Sequence, residues 1–341
     1  MTRAYVLMTA MPPTVGHLHL VQFANALADE TVVIVCTQPD EPYHHERYMS
    51  MVEATKNMSH VRVAHLHRTL EQDPSAEGFW PMWDRIMQSY GFQPGDIAVS
   101  SEPYGATLAQ RLGGIFMPYD PARQLYYVKA TNIRNNMVDY FHDILPEFQP
   151  FVRQTVTFFG AESTGKTTLS EKMSRVMNGH WLFEYARPYL ETVGSDLDLI
   201  KMYNIWKGQA ALQAHARDWT GKPWIVQDTD LFSTVGYWQM WESRFGCTSP
   251  QLITEARNMA SDLYIMTPSN IAFEADPLRY GGDVREGSDE YWEKVLADNG
   301  LNYVVLESNH PVDRVYEAEA VMKNHMSKVA ATLFYERQAN G

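Results

Sequence analysis

A phosphate-binding pattern occupies the middle of the chain. Residues 160–167, which read Gly-Ala-Glu-Ser-Thr-Gly-Lys-Thr, satisfy every fixed position of G-x-x-x-x-G-K-[ST]. In such a loop the glycines allow a tight turn, backbone N–H groups point at the phosphates, the lysine reaches the terminal phosphates and the last hydroxyl ligates Mg²⁺. The pattern predicts a site for ATP and Mg²⁺ made by Gly160, Glu162, Ser163, Thr164, Gly165, Lys166, Thr167 and Thr168.

The elements on both sides of this loop fit the same interpretation. An apolar run, Thr155–Phe159, precedes it as a strand would. Leu169, Met173 and Val176 follow at the spacing of a helix face packed on a sheet. The alternative, a glycine turn that binds nothing, would need neither element, so the strand-loop-helix context favours phosphate binding.

Two acidic residues follow the apolar run Trp224–Gln227. Asp228 is the candidate general base or magnesium-shell residue, because phosphoryl transfer requires a group that orients the attacking hydroxyl and accepts its proton. Asp230 is either a substrate contact or the cap of the next helix, near Ser233.

A segment between two predicted strands, Pro277–Arg285, combines arginines with a glycine pair, a composition that suits a closing loop. Closure would bring Arg279 or Arg285 to the transferring phosphoryl group and exclude water. The alternative is that both arginines pair with neighbouring acids at the surface.

The first half of the chain carries its own candidate site. The segment Pro12–His17 occupies the first strand-to-helix turn, where the carboxyl ends of parallel strands face ligands. Gly16 permits close backbone approach, and His17 can donate to a phosphate oxygen as charge develops there. On its own, a histidine at a helix start is as readily a cap or a solvated side chain.

Two motifs in this half carry a family resemblance. Thr14-Val15-Gly16-His17, followed more than a hundred residues later by Thr131-Asn132-Ile133-Arg134-Asn135, resembles the two motifs of the nucleotidylyltransferase superfamily. The join to a phosphate-loop half resembles the NadR-type bifunctional family, which couples nicotinamide mononucleotide (NMN) adenylyltransferase to ribosylnicotinamide kinase. Further stretches fit that family along essentially the whole chain: 78–83, 119–121, 184–189, 228–230 and 274–279.

The resemblance implies two reactions in NAD biosynthesis and salvage. ATP phosphorylates nicotinamide riboside to NMN, and the NMN phosphate then displaces pyrophosphate from a second ATP to give NAD. No covalent enzyme intermediate is expected, so positioning and charge neutralisation would carry the chemistry. For the adenylyl transfer the implied contacts are His17, Thr14, Gly16, Lys129, Thr131 and Arg134, with Arg134 neutralising the departing pyrophosphate. For the riboside they are Glu184, Tyr185, Arg187, Tyr189 and Asp230.

Alternatives stay open at several of these positions. Arg134 could form a surface ion pair. Trp80 and Trp83, three residues apart on one helix face, could stack on a nicotinamide ring or simply pack in the core. The histidine pairs at 44–45 and at 65 and 67 lack a third ligand at suitable spacing, so a metal site is not expected there.

The chain also departs from the family pattern at three positions. Met8 stands where a glycine is usual, Thr9 where a basic residue is usual, and Lys129 where a serine is usual. These departures motivate a second hypothesis, in which the kinase is active and the first domain is a non-catalytic nucleotide-binding regulatory module. Some family members carry a helix-turn-helix segment before the first strand. This sequence starts at that strand, so a role as a direct repressor is not expected.

Composition sets the wider limits. The chain has 341 residues, 45% of them hydrophobic, which is the make-up of a globular enzyme with two domains. A net charge of −13 with scattered cations disfavours nucleic-acid binding. No apolar run suits a membrane span or signal peptide, and two distant cysteines, Cys36 and Cys247, suit a reducing cytoplasm. The expected partners are therefore small molecules, with a homo-oligomer possible.

Strand-like runs alternate with helical stretches throughout, which predicts an α/β protein. We expect an N-terminal Rossmann-like nucleotidylyltransferase sheet followed by a parallel P-loop kinase sheet. The expected strands are centred on residues 5–8, 31–35, 61–63, 96–99, 115–117, 155–159, 181–184, 224–227, 263–266 and 303–306. Two prolines bracket the segment Leu145–Pro150, so the predicted domains are 1–148 and 149–341.

Overall fold

A computed structural model describes residues 1–274 and 287–333, apart from the side chain of Trp219. The chain divides into two compact units, Met1–Val152 and Arg153–Ser327, and the residues from Lys328 are grouped with the first. Each unit is built on one parallel sheet.

The first unit alternates strands and helices. Its strands are β1 (Arg3–Met8), β2 (Glu30–Thr37), β3 (Val61–His67), β4 (Ile97–Ser100) and β5 (Ile115–Pro118). Its helices are α1 (Val15–Leu27), α2 (His44–Thr55), α3 (Phe79–Ser89), α4 (Tyr104–Leu112), α5 (Ala130–Asn135) and α6 (Gln149–Val152), with a 3-10 turn at Phe141–Asp143. The strand order is β3-β2-β1-β4-β5, and every pairing is parallel.

The centre of this sheet is buried on both faces. Residues 32–35 of β2 and residues 4–6 of β1 expose almost no surface. Helices cover both sides of an all-parallel sheet, so its strands are apolar runs rather than alternating patterns. The strand order reverses beside β1, which is where an open α/β sheet forms a crevice for ligands.

The second unit repeats this plan. Its strands are β6 (Gln154–Phe159), β7 (Gly179–Leu182), β8 (Trp224–Asp228), β9 (Leu263–Met266) and β10 (Tyr303–Val305). Its helices are α7 (Lys166–Val176), α8 (Ala186–Val193), α9 (Leu199–Trp219), α10 (Leu231–Met240), α11 (Glu242–Phe245), α12 (Pro250–Asn258), α13 (Ser288–Asp298) and α14 (Pro311–Leu333). The parallel sheet has the order β10-β9-β6-β8-β7, so β6, which leads into the phosphate loop, is central.

The predicted fold class, two parallel α/β sheets, is confirmed. One strand lies earlier than expected: the run predicted at 181–184 is β7, Gly179–Leu182. The reason is close packing at Gly179, where a Cβ would lie 2.8 Å from Cγ2 of Val226. A glycine that weakens a strand in isolation is required here by the neighbouring strand.

The two units meet in sequence slightly after the predicted position of 148. Helix α6 is grouped with the first unit. Its first residue explains why: Nε2 of Gln149 donates to the carbonyl oxygens of Ile144 at 3.1 Å and Phe141 at 3.4 Å. Within the described residues, every helix is too short or too polar to span a bilayer.

Candidate active sites

The phosphate loop of the second unit has the backbone geometry its sequence predicts. Gly160 adopts φ +133°, and a Cβ there would lie 2.7 Å from the carbonyl oxygen of Thr267. Gly165 adopts φ +85° and caps α7, while Ser163 has φ 57°. Left-handed residues turn successive N–H groups to one side and form an anion-binding concavity at a helix N-terminus. Both glycines are therefore needed for the shape of the loop.

Side chains beneath the loop hold it in place. The Thr164 hydroxyl is fully buried, donates to the Ala161 carbonyl oxygen at 2.9 Å and lies 2.8 Å from the Thr267 hydroxyl. Thr164 was predicted to bind phosphate, but only its backbone is available for that role because its side chain is committed to the loop. Lys166 Nζ donates to the Ala161 carbonyl oxygen at 2.6 Å.

Arg314, on α14, is a loop contact that sequence reasoning missed. The residue is 4% exposed, and its guanidinium donates to the carbonyl oxygens of Thr164 at 2.7 Å and Pro268 at 2.8 Å. Arginine suits this position because its planar fork bonds several carbonyls at once. Nothing local in the sequence marks it, since its partners lie far away along the chain.

A cavity of about 990 Å³ opens beside the loop. Of the predicted residues, it is lined by Glu162, Ser163, Thr164, Gly165, Lys166, Thr167, Thr168, Glu184 and Arg187. The parallel strands bring these residues together from two separate stretches of sequence, 162–168 and 184–187. Arg279 and Arg285 lie outside the described residues. Just before them, the backbone N–H of Glu274 donates to the Ser163 hydroxyl at 2.8 Å.

Two carboxylates lie near the loop lysine. Burial raises the pKa of Asp228, while the Lys166 ammonium and a hydrogen bond from the Thr167 hydroxyl oppose the rise. Burial, and next the negative charge of Asp228, raise the pKa of Glu184 to about 7. Glu184 lines the cavity and Asp228 is fully buried. Such a pair of unequal carboxylates is a common arrangement for proton transfer.

The same residues fit a magnesium ion. Oδ1 of Asp228 is buried without a hydrogen-bond partner in the described part of the chain, close to the Thr167 hydroxyl. Mg²⁺ is usually held by one or two such protein oxygens together with substrate phosphates. No group of three or more His, Cys, Asp or Glu among the described residues is arranged to hold a metal by itself.

Asp230 is a helix cap. Its Oδ1 accepts from the backbone N–H groups of Phe232 at 2.9 Å and Ser233 at 3.4 Å, and its Oδ2 accepts from the Tyr264 hydroxyl at 2.6 Å. It is 1% exposed and absent from the cavity wall. Because both oxygens are occupied by the protein, the predicted substrate contact is corrected in favour of the alternative, a cap for α10.

Thr229 separates the two acids. Its φ of 70° is rare for a β-branched residue and indicates a backbone held by its surroundings. Thr229 lines the cavity, while the carboxylates on either side of it have unlike partners. The strained residue therefore marks the point where the chain turns from the site to the core.

The tyrosines predicted to contact the riboside pack elsewhere. The Tyr185 ring lies against α9, where a Cβ on Gly208 would be 2.0 Å from it, and it stacks on Tyr189 at 6.0 Å between ring centroids. The Tyr189 hydroxyl accepts from Asn204 at 2.8 Å. Neither tyrosine lines the cavity, so those two predictions are corrected.

A different aromatic pair faces the cavity. Tyr237 and Trp241 are stacked, with centroids 5.5 Å apart and planes 29° from parallel, and both line it. Tyr237 lies on α10 and Trp241 is its C-cap residue, so their spacing of four residues in the helix that follows the Asp228-Thr229-Asp230 turn was the available signal. We missed it because aromatic residues at helical spacing are ordinarily core.

The first unit has its own cavity, of about 430 Å³. Of the predicted residues, it is lined by Thr14, Gly16, His17, Trp80, Trp83 and Lys129, together with the variant positions Met8 and Thr9. Trp80 and Trp83 also pack on the apolar cluster around Ile86 and Met87, so core packing is observed, and stacking on a nicotinamide ring stays a prediction. The cavity lies at the carboxyl ends of β1 and β4, as predicted for a site at the point where strand order reverses.

His17 and Thr14 form a reciprocal cap at the start of α1. The Thr14 backbone N–H donates to Nδ1 of His17 at 3.0 Å, and the Thr14 hydroxyl lies 2.8 Å from the same nitrogen. Because Nδ1 accepts from that N–H, the proton of the neutral ring is on Nε2. Burial, and then the charge of Arg123, lower the pKa of His17 to about 4. The ring is thus a neutral donor through Nε2.

The close-approach surface expected at Gly16 is filled by a side chain. A Cβ on Gly16 would lie 2.5 Å from Cδ1 of Tyr126. The Tyr126 hydroxyl is anchored by a 2.9 Å hydrogen bond to Asp143. Gly16 therefore accommodates an aromatic ring.

Arg134 is held to the turn that precedes His17. It donates to the Met11 carbonyl oxygen and to the Thr131 hydroxyl, both at 3.0 Å, and does not line the cavity. Lys129, the N-cap residue of α5, does line it.

Two arginines at this site were not predicted. Arg123 lines the cavity and pairs with Glu102 at 2.7 Å. Arg47 is 1% exposed and donates through Nη2 to the Thr9 carbonyl oxygen at 2.9 Å. Its Nε and Nη1 have no hydrogen-bond partner within the described residues. Arg123 is therefore a cation at the proposed phosphate site, whereas Arg47 lies outside the cavity lining and also pairs with Glu41 at 2.9 Å.

The second unit is a P-loop domain and the first a Rossmann-like domain. Residues 155–314 match a family model described as an AAA domain. The chain is 26% identical to the trifunctional NAD biosynthesis/regulator protein NadR of Escherichia coli (strain K12), over 93% of this chain and 82% of that protein. The NadR of Salmonella typhimurium gives the same identity and coverage.

Solved structures agree at the level of the fold. A crystal structure of NadR protein in complex with NR has a TM-score of 0.63 and 20% identity, covering 95% of this chain and 96% of that one. One in complex with NAD and AMP-PNP has a TM-score of 0.66 and 20% identity, covering 94% and 95%. The chain is therefore similar to NadR over nearly its whole length, in sequence and in fold.

Proposed function

We propose that this protein is a bifunctional enzyme of NAD biosynthesis. One activity phosphorylates nicotinamide riboside to NMN, and the other transfers an adenylyl group from ATP to NMN, giving NAD and pyrophosphate. The observation that carries the proposal is that each sheet has its own cavity at its carboxyl edge, one beside a complete phosphate loop and one beside the Thr14–His17 cap. The NAD biosynthesis named for the two curated relatives supports it.

In the kinase reaction the 5′-hydroxyl oxygen attacks the γ-phosphorus of ATP, and the bond to the β–γ bridging oxygen breaks. Lys166 and the loop N–H groups stabilise the charge on the transferring group. Glu184 is the better placed proton acceptor because it lines the cavity, whereas Asp228 bonds Thr167. Thr167 and Asp228 would hold Mg²⁺, which supplies charge neutralisation between the phosphates when bound.

In the adenylyl transfer an NMN phosphate oxygen attacks the α-phosphorus of ATP and pyrophosphate leaves. The Nε2–H of His17 donates to an α-phosphate oxygen as negative charge increases there. Arg134, Arg123 and Lys129 are the cations in this region for the departing pyrophosphate. Before substrate binds, Arg134 is held by the Met11 carbonyl oxygen and Arg123 by the Glu102 carboxylate.

A steady-state assay tests both halves. Purified protein with Mg²⁺ and ATP should convert nicotinamide riboside to NMN, and NMN to NAD with stoichiometric pyrophosphate. If no NMN and ADP form from nicotinamide riboside and ATP, the kinase proposal is wrong. If no pyrophosphate is released from NMN and ATP, the transferase proposal is wrong.

One observation favours the second hypothesis, a regulatory first domain beside an active kinase. The Tyr126 ring covers the surface of Gly16 that a nucleotide backbone would approach. The two hypotheses differ in one measurable respect: the regulatory module binds NMN or NAD but releases no pyrophosphate, whereas the transferase does both.

A further inference from the structure

Gln209 presents an unused hydrogen-bond donor at the large cavity. It lies on α9, is 2% exposed and is one of the residues that line the cavity of the second unit. Its Oε1 accepts from the backbone N–H of Tyr185 at 3.0 Å. Its Nε2 is buried and has no hydrogen-bond partner in the described parts of the chain.

The orientation of this amide follows from its one bond. A backbone N–H can only donate, so the atom facing Tyr185 must be the oxygen, and the free end must be the NH₂. A buried donor without a partner is destabilising, so native proteins rarely keep one without a use.

The next glutamine on the helix shows the usual situation. Gln213, one turn further along α9, accepts from the Leu231 N–H at 3.2 Å and donates to the Met259 carbonyl oxygen at 3.4 Å. Gln213 is equally buried but does not line the cavity. The protein therefore satisfies both ends of the glutamine in the core and only one end of the glutamine at the cavity.

The residues around Gln209 limit which ligand could accept a hydrogen bond from its Nε2. Met202, Ile205 and Gln209 recur at i, i+3 and i+7, and all three line the cavity. Leu190 and Leu197 also line it, as do the stacked rings of Tyr237 and Trp241. The cavity thus has an apolar and aromatic part in its wall, and a ligand that contacts Gln209 must supply an acceptor for its Nε2.

We propose that Nε2 of Gln209 donates a hydrogen bond to an acceptor oxygen of the riboside and makes Gln209 a specificity-determining residue of phosphorylation. This inference rests on the proposed kinase activity. The riboside offers acceptors of two kinds, the carbonyl oxygen of its pyridine carboxamide and the 2′- and 3′-hydroxyl oxygens of its ribose. An analogue that lacks the acceptor would leave this buried donor unpaired, so the site should discriminate strongly against that analogue.

The test compares two variants with four substrates. Gln209→Leu removes both polar ends, while Gln209→Glu keeps an acceptor for the Tyr185 N–H and, when ionised, replaces the NH₂ donor with a charged acceptor. The substrates are nicotinamide riboside, the pyridine riboside without a carboxamide, and the 2′- and 3′-deoxy analogues. For each pair we would measure kcat/KM with saturating ATP, and riboside affinity in the presence of a non-hydrolysable ATP analogue.

In the parent protein, removing the oxygen that Gln209 contacts should lower kcat/KM by about 10- to 100-fold. The same removal should change kcat/KM less than about threefold in either variant, because the donor is already absent. Loss of discrimination against the pyridine riboside assigns the carboxamide oxygen, and loss against a deoxy analogue assigns that hydroxyl. Gln213→Leu is the matched control, which should unfold more easily yet keep the parental discrimination.

Two results would overturn the inference, and they differ. If the parent phosphorylates nicotinamide riboside and both Gln209 variants keep full discrimination against every analogue, Gln209 does not read the substrate, although the kinase proposal stands. If the parent neither binds nor phosphorylates any riboside, the kinase proposal and this inference both fail.

Discussion

The hydroxyl of Tyr264 donates a 2.6 Å hydrogen bond to Oδ2 of Asp230 deep in the core of the second unit. With Oδ1 already capping α10, Asp230 has no oxygen left for a substrate. Asp228, two residues earlier, keeps Oδ1 without a partner in the described structure. Neighbouring acids at one strand end therefore have different roles, one in the site and one in the fold.

The first prediction separates these roles by substitution. Asp228→Asn should preserve ATP binding and lower riboside phosphorylation by on the order of a hundredfold, because an amide cannot give full negative charge to a magnesium shell. Asp230→Asn is the matched control and should keep near-parental turnover per folded molecule. Single-turnover phosphorylation with ATP affinity measured alongside is the test. Retained turnover in Asp228→Asn but not in Asp230→Asn would reverse the assignment.

The second prediction concerns stability and pH. Burial raises the pKa of Asp230 from 3.8 to about 6, so the folded state binds its proton more tightly than the unfolded state does. The stability from that proton is fully present below about pH 4 and is lost as the pH rises through 6. The free energy of unfolding of Asp230→Asn, measured relative to that of the parent, should therefore be up to about 3 kcal/mol higher at pH 8 than at pH 4. Urea unfolding at both pH values checks the sign, and a pH-independent difference would contradict the shift.

The fold could be predicted largely from local signals. Apolar runs for buried parallel strands, and the phosphate loop with its flanking elements, are written in contiguous sequence, and the structure has them. Thr14 and His17 could be found for the same reason, since a cap and its partner lie within one helical turn.

The parts that sequence reasoning missed depend on contacts between distant residues. Arg314 is a loop contact only because α14 returns beneath the loop. Tyr185 points at Gly208 rather than at the cavity because α9 lies there, and no spacing near Tyr185 reveals it. Gln209 differs from Gln213 only in what surrounds it, so the sequence alone could not separate them.

A third prediction tests the independence of the two activities. Lys166→Ala should abolish riboside phosphorylation and leave adenylyl transfer largely intact, because the two phosphate sites belong to separate sheets. Lys294→Ala, which removes an equal charge from an exposed pair with Asp298, should change neither activity. Both rates are measured on the same preparation, and an equal loss of both in a folded Lys166→Ala protein would show coupled sites.

A fourth prediction uses the titration of Glu184. Because its pKa is raised to about 7, a proton-accepting Glu184 becomes active as it ionises, so kinase kcat/KM should rise with pH through about 7. Glu184→Gln should lower the rate and abolish that limb of the profile. A parental profile that persists in Glu184→Gln would return the proton-accepting role to Asp228.

The last prediction concerns His17. With a pKa of about 4, the ring is neutral across pH 6–9, so NAD formation should show no inflection from His17 in that range. His17→Ala should lower NAD formation by on the order of a hundredfold while NMN still binds, because the Nε2–H acts mainly on charge that develops in the transition state. Thr14→Val, which keeps side-chain volume but removes the hydroxyl beside Nδ1, should cost less activity and about 1 kcal/mol of helix capping. Rates across this pH range, with NMN affinity measured separately, decide the matter. Parental NAD synthesis by His17→Ala would make the residue only a partner in the cap.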